Sequence, residues 1–192
     1  LYMLEGEDKL IHRAKRGEKE CFGQLYDHYT AQIYRFILLK VTNRHEAEDL
    51  THDVFLSAWQ SLRGYKSQGF PFSSWLYQIA RNKVIDHYRT KKSHLSVDSL
   101  EENAVKLVDM TENNLEKILS LEVIQKAMRN LGPEQQDVLI MKFIEDLPHR
   151  DIAATLGKSE GAVRLIQHRA LNALREQLGD GSPEATKSAD QE

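Results

Sequence analysis

Apolar residues recur at three- and four-residue spacing through almost the whole chain, which is the period of an amphipathic helix. Asp8 to Arg16 reads as a first short helix ended by Gly17. Phe22, Leu25, Tyr26, Tyr29, Ile33, Phe36 and Ile37 mark one face of a long second helix. His45 to Leu62 predicts a third helix and Ser73 to Lys92 a fourth. After a polar, acidic stretch the pattern resumes over Leu115–Leu131, Pro133–Glu145 and Pro148–Leu178. No segment alternates as a half-buried strand would, and only four prolines interrupt the chain. The expected fold is all-α: two small helical domains joined by a flexible linker. The domains fall at 5–93 and 115–178, with the linker at 94–114 and a disordered tail at 179–192.

The segment Pro148 to Leu178 predicts a helix, a tight turn at Gly157 and a second helix, the helix-turn-helix arrangement that places its second helix in a DNA major groove. Pro148 suits the first helical position, and Ser159 suits the cap of the following helix. At 100° per residue, Val163, Ile166, Ala170 and Leu174 gather on one inward side. Arg164, Leu165, His168, Arg169, Asn172 and Arg175 fall outside. Arginines there suit phosphate contact and bidentate guanine reading, and an outward leucine suits a thymine methyl. The same pattern also fits an ordinary amphipathic hairpin with a solvated basic face.

The third helix carries two adjacent apolar stripes, Ala47, Leu50, Val54 and Ala58, then Phe55, Trp59 and Leu62. Its remaining arc shows Asp49, His52, Asp53, Leu56 and Gln60. An acidic strip around one apolar residue suits a protein-docking face, although an acidic strip by itself is ordinary solvated surface. The loop GYKSQGFPFSS (64–74) and the start of the fourth helix are rich in rings, namely Tyr65, Phe70, Phe72, Trp75 and Tyr77. Along that helix Gln78, Arg81, Ile85, Arg89 and Lys92 line up, with Asn82 and Asp86 on an adjoining stripe. Rings beside a basic helix suit single-stranded nucleic acid, which stacks its bases and follows cations with its backbone. Rings at helical spacing are usually core, and that is the expectation for Tyr77 and, with it, Phe72.

Charge changes this picture. The net charge is −3, unusual for a DNA-binding chain, but its distribution is uneven. Arg81 to Lys92 carries five basic residues against one acid, and Arg150 to Arg175 five against two. His94 to Asn114 and Glu176 to Glu192 each carry five acids against one lysine. The basic faces are local while the field of the whole chain repels DNA, so a partner is expected to supply affinity. The single cysteine, Cys21, excludes an internal disulfide, reads as a core thiol and fits a reducing cytoplasm. The opening residues show no secretory signal pattern, and the apolar runs are too short to span a bilayer.

Three runs, AEDLTHDVFLSAW (47–59), FSSWLYQIARNKVIDHYR (72–89) and IAATLGKSEGAVRLIQHRALNAL (152–174), together resemble a bacterial RNA polymerase sigma factor. The compact two-part form resembles the extracytoplasmic-function group of the sigma-70 family. The resemblance covers residues 8 to 178 and implies a non-enzymatic initiation factor without cofactor. It implies that Asp49, His52, Asp53 and Leu56 dock on the clamp helices of the polymerase β′ subunit. Phe70, Trp75, Arg81, Asn82, Arg89, Lys91 and Lys92 would melt and read the promoter −10 element, with Trp75 as the wedge. Lys158, Ser159, Glu160, Arg164, Leu165, His168 and Arg169 would read the −35 element. The implied partners are core polymerase through β′ and the β flap, promoter DNA and an anti-sigma factor, with no membrane insertion. His52 stands where the family commonly has glutamine, and Ala162 where it has threonine.

The two promoter elements lie roughly 50–55 Å apart on duplex DNA. A relaxed 21-residue linker spans only about 25 Å, against a stretched limit of about 70 Å. Engaging both elements therefore demands an extended linker, whereas a relaxed one lets the halves fold around a partner or against each other. Two other readings compete. A free-standing helix-turn-helix regulator leaves the aromatic loop and acidic strip unused. A metal hydrolase built on His45, Asp49, His52 and Asp53 lacks a second ligand pair at matching spacing.

Overall fold

The computed structural model describes residues 4, 6–67, 69–94 and 126–179. Among these every regular element is helical. The expected linker, most of the Leu115–Leu131 helix and the acidic tail lie outside the described residues.

The N-terminal unit is built around α2 (Lys19–Val41), which α1 (Glu7–Lys15), α3 (Arg44–Ser61) and α4 (Phe72–His94) surround. Leu25, Tyr29, Ile33, Phe36 and Ile37 of α2 are all at most 1% exposed, so its predicted face is the core. Phe22 and Tyr26, at the margin of that face, pair instead with Trp59 and Phe55 of α3, at ring distances of 4.9 and 4.7 Å. Gly17 ends α1 at φ 96°, a conformation that only glycine adopts without strain. Asn43 caps α3 by accepting from the Glu46 amide at 3.1 Å. On α4, Phe72, Leu76, Tyr77, Ala80 and Val84 turn inward.

Burial raises the pKa of the Tyr77 hydroxyl above the ordinary tyrosine value, and the nearby Glu145 carboxylate adds to that rise. The folded chain therefore holds this proton at pH values where the unfolded chain has released it. Stability is accordingly full below pH 10 and falls as pH rises above it. One proton corresponds to about 1.4 kcal/mol per pH unit. In chemical denaturation between pH 10 and 12, Tyr77→Phe is expected to make the decline shallower by about that slope. An unchanged slope would refute the assignment.

The C-terminal unit comprises α5 (Pro133–Leu139), a π-helical turn (Ile140–Ile144), α6 (His149–Leu156) and α7 (Glu160–Gly179). Val138, Ile140, Met141, Leu147, Ile152, Val163 and Ala170 form its core. The pattern predicts one helix from Pro133 to Glu145, but Glu145 donates its amide to Ile140 O, five residues back. This wide turn shifts the positions after it. Glu145 becomes buried while Phe143 and Ile144 stand exposed. Pro148 caps α6 from outside rather than occupying its first turn. Gly157 closes α6 at φ 62°, and Ser159 Oγ accepts from the Ala162 amide at 3.2 Å, so both ends of the predicted turn are built as expected.

The two units pack against each other, α6 on α4 and the π-turn on α2. Polar contacts hold the seam. Asp137 accepts from both Lys40 and Arg81, the latter at 2.8 Å. Arg35 grips Glu145 through two parallel 2.8 Å hydrogen bonds. Gln78 donates to Ala154 O at 2.9 Å.

Candidate nucleic-acid interface

Three surfaces carry the residues singled out by sequence. The first is the outer arc of α3, where Asp49, His52, Asp53 and Leu56 are all exposed. Leu56 is 45% exposed, an apolar side chain on the same arc as Asp49 and Asp53, with its helix anchored behind it by Leu50, Val54 and Phe55. Rigid backing and a single exposed leucine form the anatomy of a small docking patch.

The second surface is the outward face of α7. Arg164, Leu165, His168 and Arg169 are exposed, and Leu165 shows 49% of its surface. Val163 and Ala170 fix the opposite side in the core. Ser159 and Glu160 are exposed at the entry to the helix, and Glu160 holds Arg164 at 3.3 Å. Lys158 is half-buried and turned toward Glu134 at 3.1 Å. The helix therefore presents donors along one face with an apolar contact between them, as base-edge reading requires.

The third surface is the loop before α4 and the outward side of that helix. Here the structure divides the predicted set. Tyr65 and Phe72 are core rings, and Trp75 packs on them at a tilt, at 4.8 and 5.4 Å, while remaining partly buried. Phe70 lies under the Arg150 guanidinium at 5.3 Å, and Arg150 also donates to Gly69 O. Asn82 and Arg89 are exposed, with Arg89 near Asp86 at 3.0 Å. Lys91 pairs with Glu46 of α3 at 2.9 Å. The Lys92 side chain lies outside the described residues. Arg81 is drawn away from solvent into the seam, toward Asp137 and, at 3.8 Å, Glu134.

Between this loop and α6 opens a cleft of about 620 Å³ lined by Tyr65, Phe70, Trp75, Gln78, Arg150 and Lys158, among others. It combines ring faces with the donors Lys66, Gln78, Arg150 and Lys158, and with one acid, Glu160, at its edge; rings beside cations are the chemistry that unpaired bases and their phosphates meet. A smaller groove of about 250 Å³ on the C-terminal unit is apolar, lined by Met128, Leu139, Phe143, Ile144, Leu171 and Leu174. Phe143 is 54% exposed there. The wide turn creates that exposure, which an uninterrupted helical reading of Pro133–Glu145 could not foresee.

Glu7 is the residue that sequence reasoning missed. It is 4% exposed, and it accepts from the Tyr29 hydroxyl and from the Phe72 amide at 3.1 Å. It thus ties α1 and α2 to the first turn of α4. Among the described residues no three His, Cys, Asp or Glu side chains converge as metal ligands, and no helix is long and apolar enough to cross a membrane.

Residues 25–94 match sigma-70 region 2 and residues 127–176 match sigma-70, region 4. The chain is 36% identical over 173 residues to the ECF RNA polymerase sigma factor BldN of Streptomyces coelicolor, covering 90% of this chain and 66% of that one. It is 30% identical over 181 residues to the ECF RNA polymerase sigma factor SigW of Bacillus subtilis, covering 90% and 96%. In fold it is similar to CnrH in complex with the cytosolic domain of CnrY, with a TM-score of 0.71, 22% identity and 92% and 99% coverage. It is similar also to the sigma factor RpoE of Bartonella quintana in complex with the anti-sigma factor NepR, with a TM-score of 0.61, 20% identity and 84% and 98% coverage.

Proposed function

The chain belongs to the extracytoplasmic-function group of the sigma-70 family, and from that premise we propose that it directs core RNA polymerase to its promoters and opens them. The observation that carries this reading is the presence of both sigma regions on one chain. A free-standing helix-turn-helix regulator would need only the second. The units run from 5 to 93 and from 115 to 178, and the acidic segment 94–114 joins them.

Each surface then has a task. The strip Asp49, His52, Asp53 and Leu56 docks on the β′ clamp helices. The apolar groove around Phe143 offers a seat for the β flap. Trp75 wedges the duplex where it melts, Phe70 and Asn82 hold exposed bases, and Arg81, Arg89, Lys91 and Lys92 follow the backbone. The face of α7 reads the −35 element, with Arg164 and Arg169 suited to guanine or phosphate and Leu165 to a thymine methyl. Side chains and backbone amides perform this work without a cofactor or catalysis. The complex of the Bartonella quintana relative supports a protein inhibitor as a further partner. A cytoplasmic site of action follows from the polymerase it serves.

The test is reconstitution with bacterial core polymerase on the organism's own genomic DNA, scoring new transcription starts and permanganate-reactive thymines upstream of them. Both should require chain and core together. Sequence-specific duplex binding by the chain alone, unchanged by core, would replace this reading with the free-standing regulator.

Leu56→Arg provides the internal control. Because Leu56 is exposed, the fold should tolerate the change. An arginine cannot occupy a desolvated apolar contact, and a hot-spot residue at the centre of an interface contributes about 2 kcal/mol or more. Affinity for core is expected to fall about 30-fold or more in fluorescence titration, with an unchanged melting temperature. Unaltered core binding would remove the α3 strip from the docking face.

A further inference from the structure

We propose that α1 is a staple for the aromatic loop: Lys15 and Glu7 hold its two ends and so place Trp75 for an unpaired base. This inference rests on the loop being part of the −10 surface. α1 precedes the stretch that matches sigma-70 region 2, and none of the three surfaces includes it. Its polar contacts nevertheless converge on the loop. The Lys15 ammonium donates to the Tyr65 carbonyl at 2.6 Å, and the Glu7 carboxylate accepts from the Phe72 amide at 3.1 Å. Tyr65 and Phe72 are the two rings against which Trp75 packs. Each end of the loop is thus gripped at a residue that backs the ring meeting the base.

Three physical points make this placement rather than incidental packing. The loop has little frame of its own. Among the described residues the amides of Lys66, Ser67, Gly69 and Phe70 donate to no backbone carbonyl, so its course depends on what grips it from outside. Both grips join a charged side chain to a backbone group, which makes them stronger than neutral hydrogen bonds. Glu7 and Lys15 also share the side of one helix that carries buried Ile11 and Ala14, about 12 Å apart along its axis, so a rigid element sets both ends together. Lys15 does not share a pocket with Trp75. It lines a groove of about 200 Å³ with Asp8, His12 and Lys66, whereas Trp75 lines the larger cleft. Lys15 therefore acts on Trp75 through Tyr65, as a positioning residue.

Lys15→Met removes the donor and keeps the aliphatic stem, while Lys15→Arg keeps a charged donor. The loop is first read without DNA. In a Trp59→Phe background Trp75 is the remaining tryptophan. Acrylamide quenching of its fluorescence is expected to rise with Lys15→Met and to stay unchanged with Lys15→Arg. The melting temperature should fall by no more than about 5 °C, the share of one hydrogen bond at this size. Affinity for core polymerase should not move. Strand capture is then read on the holoenzyme, with core alone as the blank. The probe is a fluorescein-labelled oligonucleotide carrying the non-template −10 strand of a promoter mapped by the reconstitution. By anisotropy Lys15→Met should bind it about tenfold more weakly, within what one stacked base contributes. Lys15→Arg should restore the binding, and the salt dependence should match that of the unmodified chain.

Unchanged quenching would overturn the staple whatever the DNA result. A loosened Trp75 with undiminished strand affinity would overturn its part in base capture. Weaker binding with a salt slope reduced by about 0.7 would make Lys15 a direct phosphate contact and overturn the positioning role. Trp75→Ala separates the staple from the reading beneath it. If that variant binds the strand as well as the unmodified chain, the loop leaves the −10 surface and the staple's role goes with it. A loss with Trp75→Ala and none with Lys15→Met would leave the −10 reading standing and sink the staple alone.

Discussion

Glu7→Ala is expected to lower the melting temperature of the N-terminal unit by about 15 °C or more. The Glu7 carboxylate receives two buried donors, the Tyr29 hydroxyl and the Phe72 amide. Hydrogen bonds to a charged group contribute about 1.5–3 kcal/mol each, and truncation leaves both donors buried without a partner. The combined loss is about 3–5 kcal/mol. That is a large share of the roughly 5–15 kcal/mol that holds a typical domain together, and each kcal/mol moves the midpoint by about 4–8 °C at this size. The carboxylate also sits at the positive end of the α4 dipole, so the first turn beside the aromatic loop loses its anion. Glu7→Gln, which can still accept one of the two bonds, should fall between the alanine variant and the unmodified chain. Circular dichroism melts decide the matter. A Glu7→Ala chain melting within a few degrees of the unmodified chain would show that the two contacts contribute little.

Glu7 also shows where sequence reasoning stops. In the sequence it is one of two acids at the edge of a short helix, and the matched family region begins only at residue 25. No periodicity distinguishes an acid that will be buried from one that will be solvated. What decides is a tyrosine 22 residues away and an amide 65 residues away. The α2 stripe is the opposite case. Its apolar spacing is a local property, and Leu25, Tyr29, Ile33, Phe36 and Ile37 occupy the core that this spacing implies. The same holds for the α6–α7 turn, where Gly157 and Ser159 do what their chemistry favours at those positions.

The seam falls on the far side of that boundary. Asp137 reads as one polar residue in PEQQDVL, and its partners lie 97 and 56 residues away. A pattern of charges along the chain says which faces are basic, but not which acid will reach them. The aromatic loop was partly legible. Its ring density marks a site, yet Tyr65 and Phe72 belong to the core, since a ring that packs edge-on or tilted against other rings at about 5 Å gains more from burial than from solvent. Helical spacing places Phe72 in the core from sequence, but Tyr65 lies in the loop, where no periodicity decides.

Of that ring cluster, Trp75 lines the cleft and is less buried than Tyr65 and Phe72, and Trp75→Ala is expected to slow promoter opening by about 10–100-fold. Its ring is backed by Tyr65 and Phe72, so it meets an incoming base without reordering. Stacking on an aromatic side chain contributes about 1–3 kcal/mol per base, and each 1.36 kcal/mol in a barrier is tenfold in rate. The deficit should be confined to the melting step. On a template with an artificial bubble over the −10 region, where unstacking has already occurred, the variant should initiate within a few-fold of the unmodified protein. Trp75→Phe keeps the packing and a stackable face, and should keep most of the opening rate. Because the indole also contacts buried rings, the melting temperature must be measured alongside, and its drop should be smaller than that of Glu7→Ala. If Trp75→Ala were equally impaired on duplex and bubble templates, the ring would be supporting the fold of the loop rather than parting the strands.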